Sequence, residues 1–218
     1  MSKASGYADK PEDYFSGART DIVDSLSSDN SRGILELGCG EGVLGAYARA
    51  SGKCGLYVGI EFSPAAAAVA RGRVDELYCV DVEEFDPPFK EGFFDVLIAN
   101  EVLEHLVDPW RIVKQYRRYL KDGAMVFASC PNVAHRATIG MLLRGDWSLE
   151  DSGRMDRTHL RWFTPKTFRE MFELAGYEVT KVKALVEPGS RAKVFNALTG
   201  GKLAHLTVSQ IALEAKAR

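Results

Sequence analysis

The stretch Ile34-Leu35-Glu36-Leu37-Gly38-Cys39-Gly40-Glu41-Gly42 decides the fold. A short apolar run, the length of a buried strand, ends in a cluster of glycines, and a helix-period pattern follows over residues 43–51. Glycines at such a turn accept positive φ and let a ligand approach the backbone where a side chain would stand in the way. Two ligand classes use a turn of this kind. Gly40-Glu41-Gly42-Val43-Leu44-Gly45 has the form G-x-G-x-x-G, and the acid Glu61 lies 21 residues beyond Gly40, as a dinucleotide site requires. The competing form is Glu-x-Gly-x-Gly-x-Gly, from Glu36 to Gly42, which puts an acid inside the strand itself.

Working outward, strands are predicted at residues 34–37, 56–60, 76–80, 94–99 and 124–129, with helices at 43–51, 64–72 and 109–120 between them. Ser63-Pro64 and Asp108-Pro109 each supply a capping side chain followed by a first-turn proline. A helix over 134–143 leads into a segment, 144–163, rich in Gly, Asp, Arg and aromatics. A helix at 164–175 follows, with Thr164 as cap, Pro165 in its first turn and Gly176 as its stop. Residues 177–186 and 206–215 alternate as strands around a weakly helical stretch at 190–203, so they are expected to pair antiparallel at one sheet edge. The sum is an α/β fold: a doubly wound, Rossmann-like, mostly parallel seven-stranded sheet with an antiparallel edge strand. A length of 218 residues fits one domain, 31–218, after a helical lead-in at 1–30.

Apolar residues at 46% and charged residues at 27% exclude disordered and coiled-coil classes. No apolar run approaches the ~18 residues of a membrane span and the polar start has no signal-peptide core, so a cytoplasmic protein without membrane association is expected. The cysteines, Cys39, Cys54, Cys79 and Cys130, form no C-x-x-C pair and read as reduced thiols. A net charge of −2 gives no reason to expect nucleic-acid binding. It conceals an asymmetry: residues 1–110 carry 9 basic and 20 acidic side chains, and residues 111–218 carry 19 and 10. An anionic partner is therefore expected at the second half.

Further segments follow the glycine loop in order: Gly59-Ile60-Glu61-Phe62-Ser63, Val80-Asp81-Val82-Glu83 and Phe94-Asp95-Val96-Leu97-Ile98-Ala99-Asn100. With Glu36 to Gly42 they make the chain resemble, over residues 30–186, the class I S-adenosylmethionine-dependent methyltransferases. The resemblance implies S-adenosylmethionine held over Glu36, Gly38, Cys39, Gly40 and Gly42, with Glu61 accepting from the ribose hydroxyls beside Phe62. It also implies Asp81 at the adenine amine, Val82 as a wall beside the base, and Asn100 and Glu101 near the methionine part. Tyr14 and Arg19 are candidates to fold over the cofactor, with Arg19 on its carboxylate. An exposed lead-in helix is the alternative.

Glu101-Val102-Leu103-Glu104-His105 follows the fourth strand at the carboxyl edge of the sheet. If helical, it sets Glu101, Glu104 and His105 on one face, a spacing that suits a metal and resembles metal-assisted quinone and RNA-terminal O-methyltransferases. Leu-Glu-His also occurs in relatives that need no metal, and no metal is expected. Pro131-Asn132-Val133-Ala134-His135 and Asp156-Arg157-Thr158-His159-Leu160-Arg161-Trp162-Phe163-Thr164 resemble a bacterial subgroup of small-molecule methyltransferases, often associated with cell-surface polysaccharide or glycosylated metabolites. A substrate cap is accordingly placed within 131–163. Tyr14, Arg136, Trp147, Arg157, Arg161 and Trp162 are the candidates to meet a small, anionic or sugar-containing acceptor. Trp162 and Arg157 are equally open to structural roles. His105, His135 and His159 are the candidate bases, which favours O-methylation. A nicotinamide-dependent oxidoreductase and a non-catalytic S-adenosylmethionine-binding module are the competing classes.

Overall fold

The computed structural model describes residues 17–186 and 189–218. Seven strands, β1 (Gly33–Leu37), β2 (Leu56–Glu61), β3 (Glu76–Cys79), β4 (Phe94–Asn100), β5 (Leu120–Pro131), β6 (Tyr177–Ala184) and β7 (Gln210–Ala217), form one sheet in the order β3-β2-β1-β4-β5-β7-β6. β1 to β5 run parallel, and β7 runs antiparallel to both β5 and β6. The antiparallel pair closes one edge of the sheet as expected, with the last strand in sequence as its inner member.

Strand side chains alternate between two cores, one on each face, because successive residues of a strand point to opposite sides. Ile34, Tyr57, Val96 and Ile98 meet α1 (Thr20–Ser25) and α2 (Val43–Ala50) through Ile22, Val23, Leu44 and Ala48. Leu35, Val58, Leu97 and Ala99 meet α4 (Pro109–Tyr116) and α6 (Pro165–Leu174) through Ile112, Val113, Phe168 and Phe172. Every residue of β1 is buried, which fits a central strand covered on both faces. α3 (Pro64–Ala70) starts at Ser63, whose hydroxyl accepts from the Ala66 N–H, and α4 starts at Asp108, whose carboxylate accepts from the Arg111 N–H at 3.0 Å. α6 opens with a reciprocal capping box between Thr164 and Thr167.

Several boundaries differ from the sequence-based expectation. α4 tightens into a 3-10 turn over Arg117–Tyr119, and β5 begins directly after it, so the strand is longer than residues 124–129. β3 stops at Cys79. The last strand begins only at Gln210, because the preceding segment makes a 3-10 turn (Ala204–Thr207) and is tied to Asn132. The Asn132 side-chain amide donates to the carbonyls of His205 (2.8 Å) and Val208 (2.7 Å), and its N–H donates to the Ser209 carbonyl. α5 (Arg136–Leu143) lies in the predicted cap, and α7 (Ser190–Leu198) precedes the 3-10 turn. No helix among the described residues is long and apolar enough to cross a membrane.

Candidate active site

At the carboxyl ends of β1, β2 and β4 lies a cleft of about 1110 Å³. That exceeds the roughly 300–1,000 Å³ of a pocket built for one small ligand. The glycine loop forms its floor. The N–H groups of Gly38 and Cys39 both donate to the Ile60 carbonyl, at 2.8 and 3.1 Å, pinning the loop to β2. Gly38 (φ 69°) and Gly40 (φ 53°) occupy the left-handed region, and a Cβ on Gly38 would stand 3.0 Å from Val102. Both line the cleft. Gly42 does not: a Cβ there would crowd Ala70 and Arg73 instead, so this glycine serves the packing of α2 on α3.

Glu61 ends β2 with each carboxylate oxygen held by one backbone donor, Oε2 by Gly40 N–H at 2.8 Å and Oε1 by Ser63 N–H at 2.7 Å. Burial pushes this carboxyl up, and the backbone donors oppose that. The remaining lone pairs suit a vicinal diol. Glu36 is deeper; its Oε2 accepts from the Tyr57 hydroxyl at 2.7 Å, and burial raises its carboxyl to about 8. Cys39, Phe62, Asp81 and Val82 line the cleft. The Cys39 thiol is pushed up by burial and by its carboxylate neighbours, so it is inert as a nucleophile. Asp81 Oδ1 accepts from Glu83 N–H at 2.9 Å. Glu83 in turn accepts from the N–H groups of Val107 and Asp108, tying the loop after β3 to the one after β4.

Asn100 ends β4 with a buried Oδ1 that has no partner among the described residues, an acceptor turned inward and unused. Glu101 has φ 50°, the only positive value at a non-glycine among the described residues. Such strain persists where the surroundings enforce it. Its N–H donates to the Ser129 carbonyl at 3.0 Å, and its Oε2 accepts from the Gln210 side-chain amide at 3.1 Å. The left-handed turn breaks the helical face expected for the next residues. Leu103–His105 is one 3-10 turn, and Glu101 leaves the set that the i, i+3, i+4 spacing implied.

Glu104 and His105 gather with His159 instead, one ligand-type atom from each lying within 4.8 Å of the others. Glu104 is 2% exposed, and neither carboxylate oxygen has a hydrogen-bond partner among the described residues. Burial, reinforced by the negative charge of Glu101, raises its carboxyl well above the ordinary range. His159 Nε2 stands 4.0 Å from Glu104 Oε1, and the two imidazoles meet edge to face at 4.7 Å. The network assigns the tautomers. His159 Nδ1 faces the Arg154 carbonyl at 3.2 Å, and a carbonyl only accepts, so Nδ1 carries a proton. His105 Nδ1 lies 3.1 Å from the Thr158 hydroxyl oxygen, whose own proton goes to Asp156 at 2.7 Å, and 3.3 Å from the Thr158 carbonyl. Its Nδ1 is therefore a donor too. The N–H groups of Leu160 and Arg161 donate to the Glu104 carbonyl, which clamps the 156–161 segment over this turn.

The other cap residues divide. Arg157 lines the cleft but pairs with Asp151 at 2.8 Å. Arg161 lies outside the lining, its guanidinium spent on the carbonyls of Leu160 and Val107. Arg136 is exposed and outside the lining, and Trp147 and Trp162 pack edge to face on the surface at 5.4 Å. His135 does not line the cleft; its Nδ1 caps α5 by accepting from Ala137 N–H, and burial together with Arg154 and Arg136 favours its neutral form. Arg19 lines the cleft while gripping Asp21 through two contacts of 2.7 Å. Tyr14 lies outside the described residues. Arg154, Asp156, Thr158 and Gln210 also line the cleft; Arg154 is one of the five cap arginines whose forks suit an anion, and the other three had no site role from sequence. The first three fall in the cap, and Gln210 arrives from β7, where no local pattern marks it.

The sheet order and the glycine loop define a class I methyltransferase fold, and the comparisons agree. A family model described as a methyltransferase domain matches residues 12–182. A ubiquinone biosynthesis O-methyltransferase of Aromatoleum aromaticum is 26% identical over 179 residues, 79% of this chain and 75% of that protein. An uncharacterised 37.1 kDa protein of a Streptomyces fradiae transposon is 32% identical over 115 residues, 51% of this chain and 33% of that protein, so the match spans about a third of that relative. Among solved structures, an S-adenosylmethionine-dependent methyltransferase from Archaeoglobus fulgidus superposes with a TM-score of 0.68 at 16% identity, covering 94% of this chain and 97% of that one. The chain belongs to the class I S-adenosylmethionine-dependent methyltransferases, and S-adenosylmethionine is its cofactor. The residues present fit that group: left-handed Gly38 and Gly40 lining the cleft, a backbone-held carboxylate at the end of β2 and an unpartnered Asn100 Oδ1.

Proposed function

We propose that the enzyme methylates a hydroxyl oxygen on a small acceptor, with the His105 and His159 imidazoles receiving the proton. The observation that carries this reading is the pair of histidines lining the cleft, each with Nδ1 as a hydrogen-bond donor, so that the neutral form of each has Nε2 as its base. S-adenosylmethionine supplies the activated methyl group. Glu61 and the glycine loop hold the nucleoside, and Asn100 and Glu101 bound the far end. The histidine pair removes the proton that makes the hydroxyl a poor nucleophile, and alignment in a closed cleft supplies much of the rate. The similar ubiquinone biosynthesis enzymes, O-methyltransferases by name, support transfer to oxygen. The cationic surplus of residues 111–218 supports an anionic acceptor over a neutral one.

One observation favours a second reading. Glu104, His105 and His159 offer two imidazole nitrogens and an unpartnered carboxylate, a donor set suited to a divalent cation. In that reading the ion, rather than imidazole, acidifies the hydroxyl. The test is production of S-adenosylhomocysteine from a panel of phenols, catechols and hydroxy acids, with and without chelator. Turnover that survives chelation and falls at least about tenfold in His159→Ala supports the base. Loss on chelation with rescue by added cation favours the metal. Cofactor binding with no turnover on any acceptor supports a binding module.

A further inference from the structure

The cap carries five arginines, and four of them are committed or turned away from the cleft. Arg157 faces Asp151, Arg161 holds two backbone carbonyls, and Arg136 and Arg144 are outside the lining. Arg154 differs. It lines the cleft, and its Nε donates at 2.9 Å to the hydroxyl of Thr138, itself 1% exposed on α5, which fixes the plane of the guanidinium. Its two terminal nitrogens have no hydrogen-bond acceptor among the described residues, and the Glu150 carboxylate acts on it only through its charge. Partial burial works against its charge, a cost that a bound anion would offset.

We propose that Arg154 anchors a carboxylate or phosphate of the methyl acceptor through its two terminal nitrogens. The inference rests on the methyltransferase reading above and names the substrate class for the same cleft. A guanidinium with one edge fixed and the other open presents parallel N–H donors, which match two oxygens of a planar or tetrahedral oxyanion. The Arg154 carbonyl also receives the Nδ1 proton of His159. One residue thus holds the anion with its side chain and orients a base with its main chain, so the acceptor hydroxyl is presented at a fixed offset from the anion.

The experiment uses protein loaded with S-adenosylhomocysteine and titrated by calorimetry with 4-hydroxybenzoate, its neutral counterpart 4-hydroxybenzamide, and inorganic phosphate. The wild type is expected to prefer an anion over the amide by about tenfold or more, the worth of a charge-assisted pair of hydrogen bonds. The stronger of carboxylate and phosphate identifies the source. In Arg154→Gln the preference should vanish while S-adenosylhomocysteine affinity holds within about twofold; Arg154→Lys should recover part of it, and Arg161→Gln should keep it. Equal binding of benzoate and amide without phosphate binding, no binding of either anion, or a preference that survives in Arg154→Gln overturns the proposal. Failure of the wild type to take up S-adenosylhomocysteine overturns the functional reading and this inference with it, whereas uptake without anion preference overturns this inference alone.

Discussion

Glu61 does two jobs with one carboxylate. Its oxygens hold Gly40 and Ser63 N–H groups, so it shapes the glycine loop before any ligand arrives, and its spare lone pairs are what a ribose would meet. Glu61→Ala is therefore expected to weaken S-adenosylhomocysteine binding at least about tenfold by calorimetry, while Glu61→Gln, which keeps one acceptor oxygen, loses less. Wild-type affinity in the alanine variant would remove the ribose role. At this scale the sequence was only partly legible. Glu61 and the glycines follow from spacing, because a turn between strand and helix is local. The choice among cap arginines does not: charge is visible in sequence, but whether Asp151 or a backbone carbonyl has already consumed it is a matter of three-dimensional neighbours. The same holds for Glu101, whose left-handed backbone displaced it from the predicted carboxylate and histidine face.

The β1, loop and α2 unit was read closely from sequence because its hydrophobic period changes sharply at the glycines. Within it, Gly45 has a role that the motif alone does not reveal. A Cβ there would stand 2.6 Å from Val74 and 2.9 Å from Tyr57, so this glycine lets α2 lie close on β2. Gly45→Ala is expected to destabilise the protein by about 1–3 kcal/mol, the usual cost of overpacking, despite the better helix propensity of alanine. Urea denaturation measures this; an unchanged or raised midpoint would mean that the two elements separate without cost. The well-marked starts of α3, α4 and α6 were legible for the same local reason, each having a capping side chain and a first-turn proline. The late start of β7 was not, because it depends on Asn132, more than seventy residues earlier in the chain.

Across the whole molecule, carboxyls are gathered at the cleft and kept from water. Glu36, Glu61, Glu101 and Glu104 are all raised, chiefly by burial, and Glu36 to about 8. The folded protein therefore keeps protons that the unfolded chain releases. For a raised carboxyl, stability is fully present below the unfolded value near 4.5 and is lost as pH rises through the folded value, so the window set by Glu36 runs from about 4.5 to about 8. The melting temperature is expected to fall between pH 5 and pH 8, by several degrees if one such group dominates, since ~1 kcal/mol moves a chain of this size by about 2–4 °C. Glu36→Gln, which can still accept from Tyr57, should flatten that slope. A melting temperature that rises across the window would show these groups to be ionised in the fold.

The position of β7 also bears on how the chain matures. In chain order β7 follows β6, yet it fills the gap between β5 and β6, pairing with β5 from Met125 to Pro131. Until β7 is in place, the folding chain presents the long bare flank of β5, and β6 has no strand to join. An unpaired strand edge recruits whatever β-structure is nearby. Completion of the sheet thus waits on β7, and any truncation before Gln210 leaves an adhesive flank on β5 where the folded sheet has a paired one.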